Sequence, residues 1–76
     1  MSPENLNKAA LAMGETTLER DGKQVEFSAL EATDGEIETF VANLKMSEEE
    51  TKKLADYIKN NRLEFDEHAV ALKENE

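Results

Sequence analysis

The chain has 76 residues, no cysteine and a formal net charge of −9, from 18 acidic and 9 basic side chains. This length predicts a single small domain over residues 1–76 with a modest core, and the lack of cysteine excludes disulfides and thiolate metal ligands. The acidic excess disfavours direct binding to nucleic acid or to an anionic membrane. No apolar run approaches the roughly 20 residues of a bilayer span, and the N-terminus does not resemble a signal peptide. We therefore expect a cytoplasmic protein.

A short helix is predicted at the N-terminus. Ser2 followed by Pro3 is typical of a helix start, with the serine as the cap and the proline as the first helical residue. Three apolar residues then recur at the spacing of one helical face: Leu6, Ala10 and Met13. Gly14 is predicted as the left-handed residue that ends this helix.

Residues 16–28 predict a two-stranded antiparallel β-hairpin that turns on Asp21-Gly22. An Asp-Gly pair supplies the two positive φ angles of a type I′ turn. This turn sets Arg20 opposite Lys23, and the resulting register sorts the side chains by polarity. Three apolar residues share one face of the hairpin: Leu18, Val25 and Phe27. A slip of one residue would mix the two faces, so the turn and the alternation support the same register.

Two or three helices are predicted after the hairpin, over residues 34–45, 47–60 and 66–74. The first two begin at pairs with the spacing of a capping box, Thr33 with Glu36 and Ser47 with Glu50. Apolar residues at i, i+3, i+4 and i+7 support the first of them: Ile37, Phe40, Val41 and Leu44.

Residues 62–76 allow two interpretations. Leu63 and Phe65 alternate as in a short strand or an extended linker. Alternatively, Asp66 caps a last helix, with Phe65 and Val70 forming its hydrophobic staple. Residues 73–76 are predicted to fray.

The predicted fold class is therefore α+β, with the helices packed on one face of the hairpin. A two-stranded sheet is not stable alone, so its apolar face must be covered. The predicted core consists of fifteen apolar residues: Leu6, Ala10, Leu18, Val25, Phe27, Leu30, Ile37, Phe40, Val41, Leu44, Leu54, Ile58, Leu63, Phe65 and Leu72.

The sequence contains no pattern that is typical of a catalytic or metal site. The single histidine, His68, has Glu64 four residues before it, whereas a zinc site needs three or four ligands. The acidic run 48–50 lacks the spacing of a calcium loop and is explained by its position at a helix start. No phosphate-binding motif is present. We therefore expect a protein that is not an enzyme, with no cofactor and no metal.

The hairpin and the helix after it resemble a known family. Residues 20–28, with a basic-Asp-Gly turn and a Val-Glu-Phe strand, and residues 37–44 carry the likeness. Over about residues 6–45 the chain resembles the small head–tail joining protein W of lambda-like phages. The resemblance implies a phage or mobile-element origin and an assembly role at the head-to-tail channel. Its partners would be the portal and head-completion proteins.

These observations predict a non-enzymatic, acidic protein-binding module, and the resemblance implies an assembly or adaptor role for it. Residues 31–76 carry −7 of the net charge, so the expected partner is another protein with a basic surface; a homo-oligomer is also compatible. The alternative is an acidic inhibitor that mimics nucleic acid and blocks a basic site on a DNA-binding, RNA-binding or nuclease protein. The predicted partner-binding residues are Glu48, Glu49, Glu50, Asp56, Glu64, Asp66 and Glu67, together with the basic hairpin tip, Arg20 and Lys23.

Overall fold

A computed structural model describes residues 3–74 and confirms the α+β fold class. The helices are α1 (Pro3–Ala12), α2 (Asp34–Ala42), α3 (Glu48–Asn60) and α4 (Arg62–Glu74). The strands are β1 (Thr17–Arg20) and β2 (Lys23–Glu26), and one turn of 3₁₀ helix, Met13–Glu15, follows α1. The predicted cap Ser2 and the last two residues of the predicted frayed tail lie outside the described residues.

The hairpin has the predicted turn and register. Asp21 and Gly22 have φ angles of +53° and +78°, as a type I′ turn requires. Arg20 pairs with Lys23, and the pairing continues to Thr17 opposite Glu26. The apolar face is turned inward, since Leu18 and Phe27 are buried and Val25 is half-buried. The local turn chemistry therefore decides which face of the hairpin joins the core.

The end of α1 differs from the prediction. Gly14 does not adopt a left-handed conformation, and the helix tightens into the 3₁₀ turn instead. Thr16 satisfies the last carbonyls: its hydroxyl donates to the Ala12 carbonyl at 2.8 Å and its N–H donates to the Met13 carbonyl at 3.3 Å. Because these donors are available, the helix ends without a left-handed glycine.

Helix α2 begins at the predicted capping box and ends three residues earlier than predicted. The Thr33 side chain accepts from the Glu36 N–H, and the Glu36 side chain accepts from the Thr33 N–H. Lys45 adopts φ +60°, which the sequence does not signal and which is incompatible with a helix that reaches residue 45. Leu44 is nevertheless buried in the corner that leads to α3, where the Ser47 hydroxyl accepts from the Glu50 N–H.

Helix α4 begins at Arg62, so the predicted start at Asp66 is wrong. Only Asn61 separates it from α3, and the Asn61 carbonyl accepts from the Phe65 N–H at 2.9 Å. The strand or linker predicted around Leu63 and Phe65 is therefore also wrong. The deciding pattern is the helical spacing of three residues that pack into or against the core: Phe65, Ala69 and Leu72.

Two further details of the α4 prediction are corrected. The hydrophobic staple is not formed, because Phe65 is fully buried whereas Val70 is 55% exposed. Lys73 and Glu74, which were predicted to fray, belong to the helix. Asp66 lies one turn inside α4, where its carboxylate is directed to another part of the chain.

All elements contribute to one hydrophobic core. Phe27 of the hairpin stacks on Phe40 of α2, with ring centroids 4.4 Å apart and planes inclined by 22°. Leu30 and Leu63, which were predicted in the core, are each 56% exposed. Small residues and one methionine fill the space instead: Ala9, Met13, Ala29, Ala32 and Ala55. None of the helices within residues 3–74 combines the length and the hydrophobicity of a bilayer crossing.

The hairpin turn can be tested with two glycine substitutions. Gly22→Ala should lower the free energy of unfolding by about 1–2 kcal/mol, because an L-residue is strained in the left-handed region. Gly14→Ala is the matched control: its φ lies outside that region and the new Cβ would meet nothing within 4 Å. The control should leave stability unchanged or raise it by up to about 1 kcal/mol. Urea unfolding followed by circular dichroism measures both, and equal losses would contradict the turn assignment.

Candidate protein-binding surface

The loop between the hairpin and α2 is held on helix α4 by the Asp66 carboxylate. Its oxygens accept from the Ser28 hydroxyl at 2.8 Å, from the Ala29 N–H at 2.8 Å and from the Leu30 N–H at 3.3 Å. Hydrogen bonds to a charged group are stronger than neutral ones, typically about 1.5–3 kcal/mol each. Asp66 was predicted as a partner-binding residue, but the structure commits it to this internal contact.

Arg62, one turn before Asp66 on α4, holds the same loop through its carbonyl oxygens. Its Nη1 donates to the Ala29 carbonyl at 2.9 Å and also to the Ala32 carbonyl. Its Nη2 donates to the Asp34 carboxylate at 2.6 Å. We call Arg62, Asp66 and their contacts with residues 28–34 the loop clamp. It fixes the loop against the first half of α4.

The side of α4 next to the clamp carries exposed apolar side chains. Leu63 and Val70 are 56% and 55% exposed and lie two turns apart, with Asp66 between them. Since the Leu30 N–H is bound to Asp66, Leu30 is held beside the same part of the helix and is also 56% exposed. We define the α4 surface as these three residues and the two exposed acids beside them: Leu30, Leu63, Glu67, Val70 and Glu74.

The acidic part of this surface borders a shallow depression of about 290 Å³. It is lined by Asp66, Glu67, Val70, Ala71 and Glu74. Glu64, another predicted site residue, is also exposed on α4. Val70 is therefore flanked by two exposed acids, Glu67 and Glu74, and by one exposed base, Lys73.

The acids predicted on α3 have a different environment. The exposed side chains of this helix carry both signs of charge, because Lys52 and Lys53 lie among the acids, and Lys53 pairs with Glu49 at 3.0 Å. The side chains of Asn5 and Ser47 hydrogen-bond to Glu50 and lower the pKa of its carboxyl. Glu48 and Asp56 are exposed on the same helix.

The structure does not unite the seven predicted acids into one surface. Glu48, Glu49 and Glu50 form the first turn of α3, whereas Glu64, Asp66 and Glu67 follow the corner at its other end. The first turn lies about 18 Å from that corner at 1.5 Å per residue. The acids on α4 are accompanied by exposed apolar groups, and the acids on α3 by lysines.

The basic hairpin tip was predicted to bind a partner, but its Arg20 side chain is engaged within the chain. The Arg20 guanidinium makes a bidentate ion pair with Glu36, with distances of 2.8 and 2.6 Å, and donates to the Glu31 carbonyl at 3.0 Å. This pair ties the hairpin tip to the start of α2. Lys23 remains exposed.

An open groove lies between β1 and α2. It encloses about 500 Å³, and Leu18, Phe27 and Phe40 contribute its apolar part. Arg20 pairs with Glu36, a residue of the groove wall, and so links the two sides. The remaining lining residues are mostly small and polar: Thr16, Thr17, Thr33, Gly35, Thr39 and Asn43.

His68 has a structural partner rather than an acidic cluster around it. Its Nε2 lies 2.8 Å from the Asn7 Oδ1, which joins α4 to α1. Within residues 3–74 no group of three or more His, Cys, Asp or Glu side chains is arranged to hold a metal ion.

Comparisons with known proteins assign no family. No family model matches the chain, and neither a curated protein nor a solved structure is significantly similar to it. The resemblance to the head–tail joining proteins therefore stays a prediction that rests on its own residues.

Sequence reasoning missed the exposed apolar residues of the α4 surface. Leu30 and Leu63 were assigned to the core because they are large and apolar. A helix started at Arg62 would have placed Leu63 and Val70 at i and i+7, on the side opposite Phe65. The sequence contained this i, i+7 spacing, but the predicted helix start at Asp66 left Leu63 outside the helix.

The Arg20–Glu36 pair predicts a pH dependence. The Arg20 guanidinium, followed by the Thr33 N–H, lowers the pKa of the Glu36 carboxyl from 4.5 to about 2. A carboxyl whose pKa is lowered by folding stabilises the protein above its unfolded pKa and loses that contribution as the pH falls through its folded pKa. The stability difference between wild type and Glu36→Gln should therefore be constant above pH 4.5 and shrink between pH 4.5 and about 2. Urea unfolding at several pH values measures it; a constant difference throughout would contradict the pair.

Proposed function

We propose that the chain is a non-enzymatic protein-binding module that contacts its partner through the α4 surface. The observation that carries this proposal is the exposure of Leu63 and Val70 on one side of α4, together with the exposed Leu30 on the loop that is bonded to the same helix. A domain of this size needs its large apolar residues for the core, and adjacent exposed ones are typical of interaction sites. Leu11, 54% exposed on α1, is the fourth exposed large apolar residue of residues 3–74.

The environments of the titratable groups support binding rather than catalysis. Three groups of the kinds that catalytic sites use are engaged in structural contacts: Glu36 with Arg20, Asp66 with the loop, and His68 with Asn7. Each contact joins two elements of the fold. We therefore assign them to stability and assign function to the exposed side of α4.

Mimicry of nucleic acid is the alternative function, and the charge pattern on α3 weighs against it. A mimic needs a continuous surface of one sign that a basic site can engage. Glu48, Glu49 and Asp56 share the exposed side of α3 with Lys52 and Lys53. An assembly role of the head–tail joining type stays a second proposal, supported by the resemblance over residues 20–28 and 37–44.

Capture of partners on matched variants tests the proposed function. Wild type and Leu63→Ser/Val70→Ser are immobilised, and the proteins retained from the source cells are identified by mass spectrometry. Both changed side chains are more than half exposed, so the fold and its circular dichroism spectrum should be preserved. We expect the double variant to lose specific partners that wild type retains.

The control for this experiment is Leu11→Ser, which removes an equally exposed leucine from α1. It should retain the same partners as wild type. Identical capture by the double variant and wild type, or the same loss with Leu11→Ser, would contradict a binding role for the α4 surface.

A further inference from the structure

The spacing and charge of the α4 surface define the chemistry of its partner. Leu63 and Val70 are seven residues apart, which places them about 10.5 Å apart along the helix axis. A second helix that packs beside α4 presents apolar side chains with the same two-turn repeat. An extended strand would instead present its side chains in steps of about 7 Å. The apolar part of the surface therefore favours a helix.

The polar part of the surface selects the charge of that helix. Glu67 and Glu74 lie beside Leu63 and Val70, and both are exposed. Basic side chains on the partner would complement them, and complementary charge speeds association and excludes partners of the wrong sign. The net charge of −9 acts in the same direction over longer distances.

We propose that the α4 surface docks a cationic amphipathic helix of another protein. This inference rests on the proposed function and specifies the partner for the same site. The docked helix places apolar side chains against Leu63, Val70 and Leu30 and basic side chains against Glu67 and Glu74. Helix α4 has 13 residues, about 20 Å at 1.5 Å per residue, so a partner helix of three to four turns covers it.

A second copy of this chain is the less favourable occupant. Two α4 surfaces packed together would bring acidic side chains from both copies into one interface. Each copy also carries a net charge of −9. Like charges brought together at an interface are unfavourable, and a cationic helix avoids this repulsion.

Leu30 extends the docking surface only while the loop clamp holds it. Its side chain lies on the loop between hairpin and α2, and its N–H is bound to the Asp66 carboxylate. Asp66 is therefore a positioning residue: its carboxylate is bonded to the loop and keeps Leu30 beside α4. The loop clamp thus supplies an apolar residue that α4 alone does not contain.

A synthetic peptide tests the partner chemistry directly. The probe is a labelled 14-residue peptide with leucines on one helical face and lysines beside them, titrated with the full chain by fluorescence anisotropy. We expect binding that weakens steeply with added salt. A peptide of the same composition with its leucines scrambled over all faces should bind at least about tenfold more weakly, since each tenfold corresponds to about 1.4 kcal/mol.

Matched variants separate this site from general attraction between opposite charges. Leu63→Ser/Val70→Ser leaves the charge unchanged and should weaken binding at least about tenfold. Glu67→Gln/Glu74→Gln should weaken it and reduce its salt dependence. Glu48→Gln/Asp56→Asn removes the same charge from the exposed side of α3 and should leave affinity within about twofold of wild type.

Three outcomes would overturn the inference. Equal binding of the ordered and scrambled peptides, or equal weakening by the α3 and α4 charge variants, would show only general attraction between opposite charges. Sedimentation of the wild-type chain as a dimer that Leu63→Ser/Val70→Ser dissociates would identify a second copy as the occupant. In each case, partner capture that depends on Leu63 and Val70 would leave the proposed protein-binding function standing.

Discussion

The contact between the Asp66 carboxylate and the backbone of residues 29 and 30 connects the two halves of the structure. Its donors come from the loop after the hairpin, and its acceptor comes from the last helix. Arg62 binds carbonyls of the same loop and reaches the start of α2 through Asp34. A single turn of α4 therefore sets the position of the loop, and with it the approach of the hairpin to α2.

The hydrophobic core and the loop clamp depend on each other. Phe27 stacks on Phe40 only if the loop between β2 and α2 brings these two elements close together. The loop clamp holds that loop on α4. Ala29 and Ala32 are buried in the same segment, so small side chains let it approach the helices. The same path of the loop leaves Leu30 outside the core. The exposed apolar surface is thus a consequence of how the core closes.

Local chemistry allowed part of the fold to be predicted from the sequence, and long-range contacts account for most of the rest. Asp21-Gly22 and the Thr33 capping box act within four residues, and the structure has both features. Asp66 was interpreted as a helix cap because aspartate is common there, whereas its actual partners are 36 to 38 residues away in the sequence. Leu63 and Phe65, two residues apart, fit a strand as well as a helix, and only packing against the other helices decides between them. The hairpin tip was predicted to be free because the partner of Arg20 is 16 residues distant.

Amide hydrogen exchange at residues 29 and 30 tests the central claim, that Asp66 holds the loop on α4. In wild type, NMR should find the Ala29 and Leu30 amide protons protected from exchange. In Asp66→Ala, both amide protons should exchange at least about tenfold faster than in wild type, because the acceptor of two N–H groups is gone. The buried α3 residues Leu54 and Ile58 report any general loss of protection, and the acceleration at Ala29 and Leu30 should exceed theirs. Unchanged protection of Ala29 and Leu30 in Asp66→Ala, relative to Leu54 and Ile58, would contradict the account.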